Sequence, residues 1–346
     1  MARKIWLAND QDRFASCWDA SHIEDHELIM HSGMHRSGSD YDPRDRKPRQ
    51  HSTHLDAPAC NTVKIGVVNY LNSKPLLEGL EKLLSTALVK LDYPSRLADA
   101  LAVGDLDVAL IPSVEYLRHA DYRLVTDACV AARGPVLSVK LYSRVPPGEI
   151  QTLALDEGSR TSAALTRILL AERYGVIPRL EPLPLTATAD QVQTDAFLLI
   201  GDRAMFPLQS SFQTVWDLGE EWYAWTGLPF VFAVWTARSG WDDPAVIEAL
   251  RQARDLGEQR LEQIAEREAP RLGISVTLAR HYLSRNLYFH LGSAERNGLR
   301  LFRELALRNG LLSSSDSPSL CRPYAEVPPI LRRDSHEPLT ASACPR

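Results

Sequence analysis

Between residues 62 and 312 the chain alternates short apolar runs, rich in β-branched residues, with longer stretches of helical period. No other feature of the sequence restricts the fold as much. "VKIGVV", "ALVKLDYP", "DVALIP", "PVLSVKLYS", "TLALD", "AFLLIGD" and "PFVFAVWTAR" read as buried strands. Between them, "LLEGLEKLL" reads as a helix. A second helix is capped by Ser95, carries Leu97, Leu101 and Ala102 on one face and stops at Gly104. "PSVEYLRH" opens a short helix with Pro112 near its first turn. Another aligns Leu165, Ile168 and Leu169 and ends at Gly175, and a long one starts at Asp243 and Pro244. "VTLARHYLSRNLYFHL" and "SAERNGLRLFRELALR" read as two final helices. Strands alternating with helices predict parallel sheets covered on both faces.

The break at Pro146, Pro147 and Gly148 divides this pattern into two sets, so the expected architecture is α/β with two lobes and a ligand cleft between them. The first lobe is discontinuous, residues 62–145 and 235–312, and the second spans 146–234. Residues 1–61 and 313–346 show no period of either kind and are dominated by polar residues, proline and serine, which predicts disorder. Six of the ten histidines fall in the first of these segments without an apolar stripe to hold a helix, so no metal site is expected there. Of the five cysteines only Cys129 lies in the patterned region, which argues against a disulfide framework. The net charge of -5 comes without a basic stripe and excludes a nucleic-acid footprint; no apolar run is long enough for a signal peptide or a membrane span. These features predict a soluble cytoplasmic protein; they leave the oligomeric state open.

In open parallel sheets ligands bind beyond the carboxyl ends of the strands, and there the sequence places its polar clusters: "NYLNSK", "PSVEY", "DEGSRTS" and "GD". Asn72 and Ser73 follow the first strand. Ser159, Thr161 and Ser162 gather at a helix start, where unpaired N–H groups favour an anion, and Arg160 adds a guanidinium that matches a carboxylate. The ordinary role of such a cluster is an N-cap with a solvent-facing arginine; its recurrence at "YLNS" favours anion binding. Ser113 is a candidate donor into the cleft, and Glu115 and Asp202 are the only carboxylates offered as a base, Glu115 being better suited to a helix first turn, where it complements the dipole. "TGLP" places Thr226 and Gly227 at the cleft mouth. The absence of GxSxG, GxGxxG and GxxxxGK[ST] argues against an acyl nucleophile, a dinucleotide and an ATP phosphate cradle.

Together, "VNYLNSKPL", "DVALIPSVEY", "DEGSRTSAAL", "LLIGD" and "DLGEEWYAWTGLPFVFAVW" resemble, in this order, the chorismate dehydratases of the menaquinone biosynthesis family, which serve the futalosine route. The resemblance runs from about Val63 to Leu312. It implies a type II periplasmic-binding-protein-like fold used as a cytoplasmic enzyme, a hydro-lyase that converts chorismate to 3-[(1-carboxyvinyl)oxy]benzoate without metal or redox cofactor. It also implies Asn72 and Ser113 as catalytic candidates, with Ser73 on the first-lobe side of the substrate, Arg160, Thr161 and Ser162 on the second, and Asp202, Thr226 and Gly227 nearby. The proton acceptor is either a side-chain carboxylate or a carboxylate of the substrate. Two alternatives share the fold: the sister enzyme of the same route, which releases dihydroxynaphthoate, although "VVNYLNSKP" stands where its "SPCPNDT"-like opening belongs, and a solute-binding protein for a small carboxylate.

Overall fold

The computed structural model describes residues 5–7, 62–208 and 210–313; the expectations for 8–61 and 314–346 lie outside the described residues. In chain order the strands are β1 (Ile5–Leu7), β2 (Lys64–Val68), β3 (Leu88–Asp92), β4 (Val108–Pro112), β5 (Tyr122–Ala132) and β6 (Val139–Ser143). They continue with β7 (Thr152–Asp156), β8 (Arg179–Leu183), β9 (Ala196–Ile200), β10 (Thr214–Asp217), β11 (Phe230–Arg238) and β12 (Tyr288–His290). The helices are α1 (Leu80–Leu83), α2 (Pro94–Val103), α3 (Ser113–Arg118), α4 (Arg160–Tyr174), α5 (Leu218–Thr226), α6 (Pro244–Gln259), α7 (Leu261–Leu272), α8 (Val276–His281) and α9 (Ser293–Arg308).

Two sheets result, one of order β1-β3-β2-β4-β11-β5-β12 and one of order β10-β6-β9-β7-β8. In the first, β1, β3, β2 and β4 run parallel, while β11 is antiparallel to both β4 and β5. In the second, β8, β7 and β9 run parallel, and β6 is antiparallel to both of its neighbours, β9 and β10. Each parallel core contains a reversal of winding. From β2 the chain goes to β3 on one side and then to β4 on the other; from β7 it goes to β8 and then to β9 in the same way. Such a reversal opens a crevice at the carboxyl ends of the two strands on either side of it.

Helices form where the sequence indicates, for physical reasons that the structure makes explicit. Ser159 caps α4 by accepting the N–H of Ser162, and Gly175 closes it in the left-handed conformation. The predicted face, Leu165, Ile168 and Leu169, is fully buried, each side chain contributing about 1.5–3 kcal/mol. Asp243 caps α6 through the N–H groups of Ala245 and Val246 with Pro244 in the first turn. The start of α2 differs: Tyr93 is the cap and Ser95 lies inside, because Pro94, which has no N–H to lose and a helical φ, already suits the first position. The stretch expected as one helix after β2 is a 3-10 turn, Leu71–Leu77, followed by the short α1. Pro75 inside it has no N–H for a regular α-helical ladder. The segment read as a penultimate helix ends early, in a π-helical turn at Tyr282–Asn286, and its remainder is β12, so His290 lies on a strand.

The lobe boundaries also shift. β6 hydrogen-bonds β9 in the second sheet and β11 hydrogen-bonds β4 and β5 in the first, so the chain crosses at 133–138 and returns at 227–229. Pro146 and Pro147 break a connection inside the second lobe, since β6 has already paired before them. In the segment 1–61, Ile5–Leu7 forms β1, satisfying the backbone groups of the outer edge of β3.

The core is continuous across both lobes, with the fully buried Trp222 against Phe230 and Phe302 and its indole N–H donated to the Pro229 carbonyl at 3.2 Å. Gly298 of α9 faces the same return crossover: a Cβ there would stand 2.0 Å from the Pro229 oxygen. Replacing a glycine inside a helix by alanine ordinarily adds about 1 kcal/mol. Gly298→Ala is expected instead to lower stability by about 1–3 kcal/mol, read as a lower urea midpoint; a raised midpoint would show that the crossover is not held against α9.

Candidate functional site

A pocket open to solvent lies where the two winding reversals face each other. Its walls come from the ends of β2 and β4 (Val68, Tyr70, Pro112) and of β7 and β9 (Ser159, Ser162, Ile200, Gly201). Asn72 and Ser73 add the turn after β2, Val136 and Ser138 the first crossover, and Phe232 and Ala233 an irregular stretch of β11. Gly201 is required there. Its φ is +71° and a Cβ would meet the Tyr70 ring at 2.6 Å, so the tyrosine closes over bare backbone.

The turn after β2 reaches across the cavity edge to the C-terminal part of the first lobe. Ser73, fully buried, donates its hydroxyl to Asn72 Oδ1 at 2.9 Å. Tyr282, at the start of the π turn, donates to Ser138 Oγ at 2.7 Å. Complete burial pushes the Tyr282 phenol far up, so it stays protonated. The crossover bearing Ser138 is itself strained: Ser138 N–H donates to the Val136 carbonyl around Leu137, whose φ is +61°. Asp217 holds that strain by accepting the N–H groups of Val136 and Leu137 at 2.8 and 2.6 Å, and Asn286 donates to the Pro135 carbonyl at 2.8 Å.

The structure brings Asn72, Ser73 and Ser162 to the cavity and takes the other candidates elsewhere. Ser113 is fully buried and donates to the Val231 carbonyl at 2.7 Å, with Thr161 Oγ1 at 3.4 Å; Thr161 in turn accepts the Val114 N–H at 3.1 Å. These two residues join α3 to α4 across the lobes. Arg160 turns away from the cavity, both oxygens of Asp99 lying within 2.9 Å of one guanidinium nitrogen and Glu115 at 3.4 Å from another. The buried Glu115 is also paired with Arg118, which leaves it a charge partner outside the cleft. Thr226 donates to the Trp222 carbonyl at 2.8 Å and accepts the Leu228 N–H, and Gly227 ends α5 with a φ of +68°; both serve that helix terminus. Sequence reasoning missed Ser138 and Tyr282. The first looked like part of a strand and the second like part of an ordinary helix, and only the tertiary fold brings them together.

Among the residues lining the cavity none is acidic, basic or histidine, and the one ionisable side chain is Tyr70. Burial pushes its phenol far above the ordinary range. The donors are therefore neutral. Ser159 Oγ accepts the Ser162 N–H and donates to Ser162 Oγ at 2.8 Å; nothing among the described residues accepts the Ser162 proton, which is left for a ligand at the start of α4. One group among the described residues has donor atoms close enough to ligate a cation, Asp255, Glu258 and His290. None of the three lines the cavity; Glu258 already binds His290 at 2.7 Å and Asp255 pairs with Arg254 at 2.8 Å. Among the described residues no helix is long and apolar enough to cross a membrane.

Asp202 crosses the cleft beside the cavity, accepting the Leu71 N–H at 3.0 and 3.3 Å. Burial pushes its carboxyl up to about 6, against the Leu71 N–H and the Lys74 charge that lower it and Glu268, which adds to the rise. A carboxyl raised by folding adds stability below its ordinary value near 3.8, and that stability is lost as pH rises through about 6. The stability of the parent relative to Asp202→Asn is expected to fall by on the order of 2 kcal/mol between about pH 4 and about pH 7, measured by urea unfolding. A difference that stays constant with pH would refute the buried contact.

Comparison with known proteins fits this geometry. The sequence profile of a family described as menaquinone biosynthesis matches residues 63–308. Over 267 residues the chain is 36% identical to the chorismate dehydratase of Thermus thermophilus, covering 69% of this chain and 93% of that protein. Among solved structures it is similar to a protein of Archaeoglobus fulgidus, with a TM-score of 0.55 at 14% identity, over 73% of this chain and 100% of that one. It is also similar to the periplasmic aliphatic sulphonate binding protein SsuA of Escherichia coli, with a TM-score of 0.51 at 16% identity, over 80% of this chain and 98% of that one. These two likenesses concern the fold alone, which is of the periplasmic-binding-protein kind. The sequence matches go further: the chain belongs to the menaquinone biosynthesis family.

Proposed function

We propose that this protein is a hydro-lyase that dehydrates chorismate to 3-[(1-carboxyvinyl)oxy]benzoate. The observation that carries the reading is the likeness to a chorismate dehydratase over most of the chain, joined to a cavity lined by neutral donors from both lobes. Chorismate presents two carboxylates and a hydroxyl. Asn72 and the start of α4 with Ser162 supply hydrogen bonds to such oxygens from two sides.

The reaction removes the C3 proton and expels the C4 hydroxyl, so one C–H and one C–O bond break, water leaves and the ring becomes aromatic. The C3 carbon is conjugated through the ring double bond to the C1 carboxylate, onto which charge spreads as the proton departs. Donors fixed before the reaction stabilise that charge without reorganising. No side chain on the cavity wall is a competent base near neutral pH: the wall carries serine hydroxyls, a neutral amide and the Tyr70 phenol, which burial pushes far above its ordinary range. We therefore assign the proton to the substrate's own side-chain carboxylate, which is tethered through the ether oxygen to C3 and can fold back onto its hydrogen. The protein's part is to hold that conformer and exclude bulk water. Asn72 then holds the substrate, while Ser113, Thr161, Arg160 and Asp202 act indirectly, by keeping the lobes together.

The reaction is redox-neutral and driven by aromatisation, so turnover is expected to survive exhaustive chelation and dialysis. The purified chain incubated with chorismate should yield the aromatic ether, followed by absorbance and chromatography. Asn72→Ala is expected to forfeit about 1–3 kcal/mol of interaction, roughly a 5- to 150-fold drop in kcat/KM per folded molecule, and to lower the melting temperature as well, because the buried Ser73 hydroxyl loses its acceptor. Chorismate bound but recovered unchanged would instead identify a solute-binding protein.

A further inference from the structure

We infer that Ser138 donates a hydrogen bond to an anionic oxygen of the substrate, and that Tyr282 is the positioning residue that makes it a donor. The inference deepens the chorismate reading and rests on it.

The single proton of the Tyr282 phenol goes to Ser138 Oγ at 2.7 Å. Ser138 has then filled an acceptor site while keeping its own proton. Among the described residues nothing accepts that proton, and Ser138 lies on the cavity wall. A serine hydroxyl ordinarily turns to suit whatever it meets; this one is committed to giving. Each link in the chain polarises the next, so the terminal hydroxyl is a better donor than an isolated serine.

The surroundings keep the chain in register. Tyr282 begins the π turn and Asn286 ends it, and from that turn the first binds Ser138 and the second the Pro135 carbonyl, three positions apart on the same crossover. The positive φ of Leu137 between them aims the Ser138 side chain, and irregular helical turns of this kind recur at functional sites. Burial of Tyr282 to 0% exposure shields the chain from competing water. No charged group is needed, which suits a site where a substrate carboxylate must remain basic.

The test is a double-mutant cycle on the full chain with chorismate, using Tyr282→Phe, Ser138→Ala and the pair. Each single change is expected to lower kcat/KM by roughly tenfold or more, the scale of losing one preorganised donor, mainly through kcat, because the charge it meets grows in the transition state. The pair is expected to be no worse than Ser138→Ala alone, and melting temperatures should stay close to the parent's. A residue that merely supports the fold would lower the melting temperature and add its effect independently. The assignment is overturned if an active parent is matched by Ser138→Ala, or if the pair loses the product of the two single effects. If Tyr282→Phe fails to fold, Ser138→Ala alone decides. A parent that neither binds nor converts chorismate overturns the underlying reading, and this assignment with it.

Discussion

The Asp217 carboxylate, half-buried at the start of α5, accepts N–H groups from Val136 and Leu137 on one side and from Gly219 and Glu220 on the other. Burial pushes its carboxyl above the ordinary range, and the four backbone bonds pull it back. That interaction ties the first crossover to the second lobe, while Tyr282 and Asn286 tie the same crossover to the first. The shape of the cleft depends on this double grip. Two sheets that each reverse their winding create two crevices, but a cavity forms only where the crossover holds the crevices face to face. The cost of a left-handed Leu137, of order 1–3 kcal/mol, is met by these surrounding bonds.

Charge is arranged around the cavity and kept off its walls. Arg160 with Asp99 and Glu115, Arg203 with Asp156, and Asp202 with the Leu71 N–H all bridge or brace the lobes, whereas the lining carries hydroxyls, an amide and apolar side chains. This separation has a chemical consequence for the proposed reaction. A guanidinium against a carboxylate favours its charged form and lowers its basicity. Neutral donors can hold a carboxylate while leaving it able to take a proton. The same neutral lining would serve a protein that only binds an anion, so the difference between catalyst and carrier lies in which conformer of the ligand the site selects.

Much of this was legible in the sequence, and the pattern of what was not is instructive. The alternation of apolar runs and helical periods expresses local chemistry, and the two-lobed α/β fold follows from it, as do the caps at Ser159, Asp243 and Gly175. Asn72, Ser73 and Ser162 were readable because strand-end turns in parallel sheets converge on one place. The lobe boundaries were less accessible. Pro146 and Pro147 are a strong local signal, but membership of a sheet is decided by pairing, and β6 pairs with β9 more than fifty residues away. Arg160 looked like a carboxylate clamp because the partners that occupy it, Asp99 and Glu115, lie on other helices. Tyr282 gave no sign at all, since a π turn followed by a three-residue strand still shows helical spacing of apolar residues.

The central claim is that neutral groups from both lobes recognise the carboxylates of the ligand. The most direct measurement is a crystal structure of the chain with chorismate or its dehydration product bound. The account places the ligand between the turn after β2, the first crossover and the start of α4, its carboxylate oxygens within hydrogen-bond distance of hydroxyl, amide and backbone N–H donors, with Arg160 still on Asp99. A guanidinium or ammonium group on a ligand carboxylate, or a side-chain carboxylate against the C3 hydrogen, would contradict it.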